Sequence, residues 1–84
     1  MADGNVKNRP VNTVRVGHCK VSIWKNETKN GVMYSAVPVR IYRTEAGEWA
    51  ETHSLCGTEI LLMKEALNRA FDWVAKQEQS QQSE

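Results

Sequence analysis

The chain has no long apolar run. Across its 84 residues there is no stretch of about 18 apolar residues, the length a bilayer-crossing helix needs, so no membrane partner is expected. The N-terminus also lacks the apolar core of an export signal, which points to the cytoplasm. There are two cysteines, Cys19 and Cys56, and in a chain that is not exported they are expected as free thiols. For the same reason the Asn26-Glu27-Thr28 triplet is read as a turn, not as a glycosylation acceptor. Histidines are as scarce. His18-Cys19 and His53-x-x-Cys56 offer nitrogen and sulfur donors, but neighbouring strand residues such as His18 and Cys19 point to opposite faces, so no metal site is expected. A cysteine nucleophile would need one of those two histidines as its base, and Ser54 beside His53 has no elbow motif around it. No glycine-rich phosphate loop, paired-acid signature or zinc-protease motif is present. The expectation is a non-enzymatic protein with no cofactor.

Residues 1 to 12 carry almost no apolar periodicity, and residues 78 to 84 carry no apolar side chain. Such segments bury too little surface to offset their ordering entropy, so both are expected to be disordered tails. The folded domain is then 13 to 77. A domain of roughly 65 residues buries only about 60% of its unfolded surface, which favours association into a homodimer or a higher assembly.

Charge is nearly balanced overall but not along the chain. Residues 1 to 43 hold eight lysines and arginines against two acids, whereas residues 44 to 84 hold three against eight. Such a split suggests either a polyanion-binding face or attraction between the halves, within one copy or across two.

Four strands are expected, at about 13–16, 18–25, 32–43 and 48–55. Cys19, Val21 and Ile23 alternate with Lys20, Ser22 and Trp24, as in a half-buried strand. Asn30-Gly31 ends a polar hairpin loop. In the third strand Val37, Val39 and Ile41 share one face, with Ala36, Arg40 and Tyr42 on the other. Pro38 cannot donate to a ladder, so a kink is expected there. Gly47 closes the next turn, and Trp49, Glu51, His53 and Leu55 share one side of the last strand.

A single long helix is expected over about 57–77, capped by Thr58 or Ser54, with Glu59 in its positive first turn. Ile60, Met63, Leu67, Phe71 and Val74 recur at steps of three and four. Leu62, Ala66 and Trp73 form a second stripe, which either widens the core contact or forms a seam between two copies. The fold class is therefore α+β: an antiparallel meander of three to four strands, followed by a helix on the face of Val21, Ile23, Val39 and Ile41.

One helix covers one face of a sheet. The open face is expected to show Lys20, Trp24, Arg40 and Tyr42, with Lys25, Lys29 and Arg43 at its rims. Rings interleaved with cations suit single-stranded nucleic acid, since bases stack on the rings and cations meet phosphates. Alternatively, Trp24 and Tyr42 are a cross-strand pair that firms up the sheet, or are buried at a dimer contact.

So placed, the strands resemble the single-stranded DNA-binding fold of positive cofactor four and the Whirly proteins. The resemblance spans about residues 14 to 76. It rests on Val14-Arg15-Val16-Gly17, Cys19-Lys20-Val21-Ser22-Ile23-Trp24, Asn30-Gly31, Val39-Arg40-Ile41-Tyr42, Ala46-Gly47-Glu48 and Ser54-Leu55. The chain is also similar to small bacterial proteins of this length that are often linked with mobile elements. The resemblance implies a non-catalytic binder of single-stranded DNA or RNA, of low sequence specificity and oligomeric through its helices. Lys20, Trp24, Arg40 and Tyr42 would line the binding sheet. The last strand departs from the basic strand of positive cofactor four. It reads Glu48-Trp49-Ala50-Glu51-Thr52-His53, whose acids would repel phosphate if they faced the groove. The alternative function is a small homo-oligomeric protein–protein interaction module.

Overall fold

The computed structural model describes residues 9–82, with side chains described as far as residue 79. Most of the N-terminal tail and the end of the C-terminal one lie outside that range. The strands are β1 (Asn12–Val16), β2 (Cys19–Thr28), β3 (Gly31–Arg43) and β4 (Trp49–Thr52), followed by helix α1 (Thr58–Gln82). The strands form one antiparallel sheet in the order β1-β2-β3-β4, so the expected α+β meander and C-terminal helix are what the chain adopts.

The first turn depends on Gly17. Its φ of 61° lies in the left-handed region, and a Cβ built there would stand 3.2 Å from Leu62 Cδ1. Only glycine combines that backbone with that approach to the helix. The β2–β3 hairpin is tighter than expected. Thr28 pairs with Gly31 across only Lys29 and Asn30, and the Thr28 hydroxyl both donates to Gly31 O (2.8 Å) and accepts from Asn30 N (3.1 Å). Within Asn30-Gly31 only Gly31 has a positive φ, of 120°.

β3 passes through Pro38 without a bulge or break, contrary to the expected kink: Val21 faces Pro38 and the register is unbroken on either side. A strand residue's N–H and C=O point the same way. Pro38 O accepts from His53 Nδ1 at 2.8 Å, on the side away from β2. The missing N–H would also have pointed there, beyond the reach of β4, which pairs only with Arg40–Arg43. β4 is shorter than expected because the chain turns off at His53 and Ser54, whose groups bond back to β3.

Helix α1 runs to Gln82, five residues beyond its expected end at about residue 77. At its start the Glu59 carboxylate accepts from Cys56 N at 3.0 Å, so Glu59 does the capping expected of Thr58 or Ser54. Its sheet-facing side carries Met63, Ala66 and Ala70, buried against Cys19, Val21 and Ile23. Val14, Val16, Tyr34, Leu55, Leu62, Trp73 and Val74 pack around that centre, with the Tyr34 and Trp73 rings edge to face at 5.9 Å. The alanines let the helix approach closely over β2. Among the described residues no helix is long and apolar enough to cross a membrane.

Candidate nucleic-acid interface

Which residues share a face follows from register. In an antiparallel pair, directly opposed residues project to the same side. Val14 and Val16 oppose Val21 and Cys19, so these four lie under the helix. Arg15 opposes Lys20, on the other side. Across β2–β3, Cys19 opposes Arg40, Lys20 opposes Val39, Ser22 opposes Val37 and Trp24 opposes Ser35. Across β3–β4, Arg40 opposes Thr52 and Tyr42 opposes Ala50, whereas Ile41 opposes Glu51 and Arg43 opposes Trp49.

The face away from the helix therefore carries Arg15, Lys20, Trp24, Val37, Val39, Ile41, Arg43, Trp49 and Glu51. This corrects two expectations. Val39 and Ile41 do not lie under the helix with Val21 and Ile23. Arg40 and Tyr42 do not share the open face with Lys20 and Trp24. The physical cause is the two-residue turn, which sets odd-numbered β3 residues opposite even-numbered β2 residues. β3 is partly apolar on both sides, so its own alternation does not decide which side turns inward.

Arg40 has a different task. Its Nε stands 3.1 Å from Glu59 Oε1 and donates to Ser54 O at 3.0 Å, and its guanidinium lies 5.6 Å from the centre of the Tyr42 ring. It ties β3 to the connector and to the first turn of α1. Lys25 opposes Tyr34, on the helix side of the sheet, though exposed to solvent, and Lys29 lies in the hairpin turn. Of the seven expected nucleic-acid contacts, Lys20, Trp24 and Arg43 stand on the open face. Arg15 and Trp49 join them there, though neither was anticipated as a contact. The signal that would have found Arg15 is the tight Gly17-His18 turn, which sets it opposite Lys20.

The open face is a trough. Arg15 comes from one outer strand and Trp49 from the other, yet both line one open depression of about 680 Å³ together with Ile41, Ala50 and Glu51. Trp49 is 62% exposed, and the Arg43 guanidinium lies 5.5 Å from the centre of its ring. Lys20 Nζ reaches across β3 to Glu51 Oε2 at 2.9 Å. That bridge passes beside Val39, which is buried although it faces away from the helix. So one acid does face the trough, and it occupies one of its three cations.

The second helix stripe also falls elsewhere than the seam it could have formed. Ala66 is fully buried, and Leu62 and Trp73 pack against the same core, so all three hold the helix to its own sheet. The apolar side chains left exposed on α1 are Ile60, Leu61, Leu67 and Phe71.

The four residues with donors suited to zinc are not gathered. Cys19 is buried, and its Sγ donates to Glu59 O at 3.5 Å, whereas Cys56 is exposed and His53 is bonded to Pro38 O. Among the described residues no group of three or more His, Cys, Asp or Glu stands close enough to hold a metal ion. Burial first, and then the Glu59 carboxylate, raise the Cys19 thiol above its ordinary pKa, with Arg40 opposing them. Comparison with protein-family models, with curated proteins and with solved structures returned no match for this chain.

Proposed function

We propose that the protein binds single-stranded nucleic acid, DNA or RNA, in the trough opposite the helix, with low sequence specificity. One observation carries this reading: Arg15 and Trp49 line one open depression on the sheet face away from the helix, and Lys20, Trp24 and Arg43 stand on that same face. The exposed indole of Trp49 and the half-buried one of Trp24 offer stacking platforms to unstacked bases, and every base has a π-face. The cations are spread over β1, β2 and β3, so they can follow a backbone across the sheet. None of this demands a particular base order.

The test is fluorescence polarisation of labelled single- and double-stranded oligonucleotides over a salt series. Single strands bind more tightly than the duplex. If Arg15 and Arg43 each neutralise one phosphate while Glu51 holds Lys20, log K falls against log salt with a slope of about −1.4, from roughly 0.7 per contact on a single strand. Trp49→Ala weakens binding by about 1–3 kcal/mol. Undetectable binding of any single-stranded oligonucleotide at low salt overturns the reading.

A further inference from the structure

β2 begins at Cys19, whose partner on β3 is Arg40, and the pairing of these strands closes with Ile41 N donating to His18 O at 2.8 Å. β3 runs on to Arg43 with only β4 beside it. The β1–β2 turn therefore stops short of the β3–β4 hairpin and leaves a notch at this corner of the sheet. There an open cavity of about 290 Å³ is lined by His18, Arg40, Tyr42, Arg43 and Glu59, together with Ile41 and Trp49. Ile41 and Trp49 also line the trough, so the two depressions adjoin.

Arg40 and Glu59 satisfy each other and form a neutral wall. His18 and Arg43 are differently placed. His18 is exposed, and among the described residues no hydrogen bond or ion pair engages its ring. Arg43 Nε donates to Gly47 O at 3.3 Å, and among the described residues no carboxylate pairs with its guanidinium. A backbone donor joins them. Alternate N–H groups of a strand point to the same side. Thr44 N donates to Glu48 O, toward β4, so Arg43 N–H points the other way, into the notch, as Ile41 N–H does.

We propose that this cavity binds a phosphate monoester: the terminal phosphate of a strand whose last base stacks on Trp49. A monoester carries about −1.5 to −2 charge at pH 7 and three acceptor oxygens, whereas a phosphodiester within a strand carries a single charge. Two side chains able to carry positive charge, with a backbone N–H between them, match the monoester. Trp49 borders both depressions, so the base and phosphate of one nucleotide can occupy them together. That the monoester belongs to a strand rests on the nucleic-acid reading; its recognition by His18 and Arg43 does not.

The test has two arms. In the first, fluorescence polarisation compares one single-stranded oligonucleotide carrying a 5′-phosphate, a 3′-phosphate or hydroxyl ends. One of the phosphorylated forms binds about fivefold more tightly than the hydroxyl form. His18→Ala abolishes that preference and leaves the affinity for hydroxyl ends unchanged, whereas His18→Arg keeps it. In the second arm, the His18 ring resonances are followed by NMR as thymidine 5′- or 3′-monophosphate is added. They move with a monophosphate and not with thymidine. Equal affinity for all three ends, with the His18 resonances unmoved, overturns the proposal and spares the trough. A preference that survives His18→Ala overturns it too. Resonances that move in a chain blind to every oligonucleotide keep the cavity, for a free nucleotide, and remove the trough.

Discussion

The Arg40 guanidinium lies 3.1 Å from the Glu59 carboxylate, on the side of the sheet that carries the helix. The pair is largely shielded from water, with 21% and 26% of the two side chains exposed. Removing one partner strands the other, and hydrogen bonds to charged groups are worth about 1.5–3 kcal/mol. Arg40→Ala is therefore expected to cost about 2 kcal/mol of stability, measured by urea denaturation. Its affinity for an oligonucleotide should stay within twofold of wild type, by about the same standard that separates remote sites. Arg40→Lys should recover only part of the loss, since a lysine has no N–H at the place of the Arg40 Nε, which stands against both Glu59 and Ser54.

Glu51 occupies Lys20 within the trough. A carboxylate there repels phosphate and competes for the cation. Glu51→Gln is expected to raise affinity for single strands by about two- to fivefold, the scale of an exposed charge interaction. The salt dependence should steepen as Lys20 is released to a phosphate. Polarisation titrations at two salt concentrations read both effects, and an unchanged affinity places Lys20 outside the binding path.

Gly17 needs its left-handed backbone and the space beneath Leu62. Gly17→Ala adds a Cβ that the backbone disfavours by about 1 kcal/mol, at 3.2 Å from the Leu62 methyl. The expected loss of about 1–3 kcal/mol should appear as a lower denaturation midpoint with an unchanged slope. Leu62→Ala combined with Gly17→Ala should cost less than the sum of the two single changes, because the clash is then gone.

The raised pKa of Cys19 has a pH consequence of definite sign. Its ordinary value is 9.0, and the folded chain holds the proton to higher pH because of burial and the nearby Glu59 carboxylate. Above that ordinary value the folded state binds more protons than the unfolded one, so this group's stabilising contribution falls as pH rises. Melting curves between about pH 8 and 10.5 should show wild type losing more with pH than Cys19→Ala, although the variant is less stable throughout. Below pH 8 the two curves should run parallel.

The element order was readable from pattern alone. Alternation in β2 and the helical steps after Gly57 are unambiguous, because β2 is apolar on one side only and the helix has no competing strand pattern. The faces of β3 were not readable. Val37, Val39 and Ile41 look like a core stripe, yet they face away from the helix, and only the count of residues in the Thr28–Gly31 turn decides this. The helix misled in a related way. Its apolar arc is wider than one contact, and the larger residues Ile60, Leu67 and Phe71 suggested the core. The sheet instead takes Ala66 and Ala70 because small side chains allow close approach. Lys20 and Trp24 were placed correctly because their strand was, whereas Arg40 and Tyr42 followed β3 to the other side.

The short link formed by Lys29 and Asn30 acts as a parity lock. One amino acid added there, with the pairing otherwise kept, would turn every later β3 side chain inside out. Arg40 would leave Glu59 for the concave surface, and Ile41 would slide beneath the helix. Such an insertion bearing on two surfaces at once should show itself as a lost cooperative melt together with altered oligonucleotide affinity. The distance between two threonine-and-glycine corners thus governs which half of the molecule is dry and which is wet.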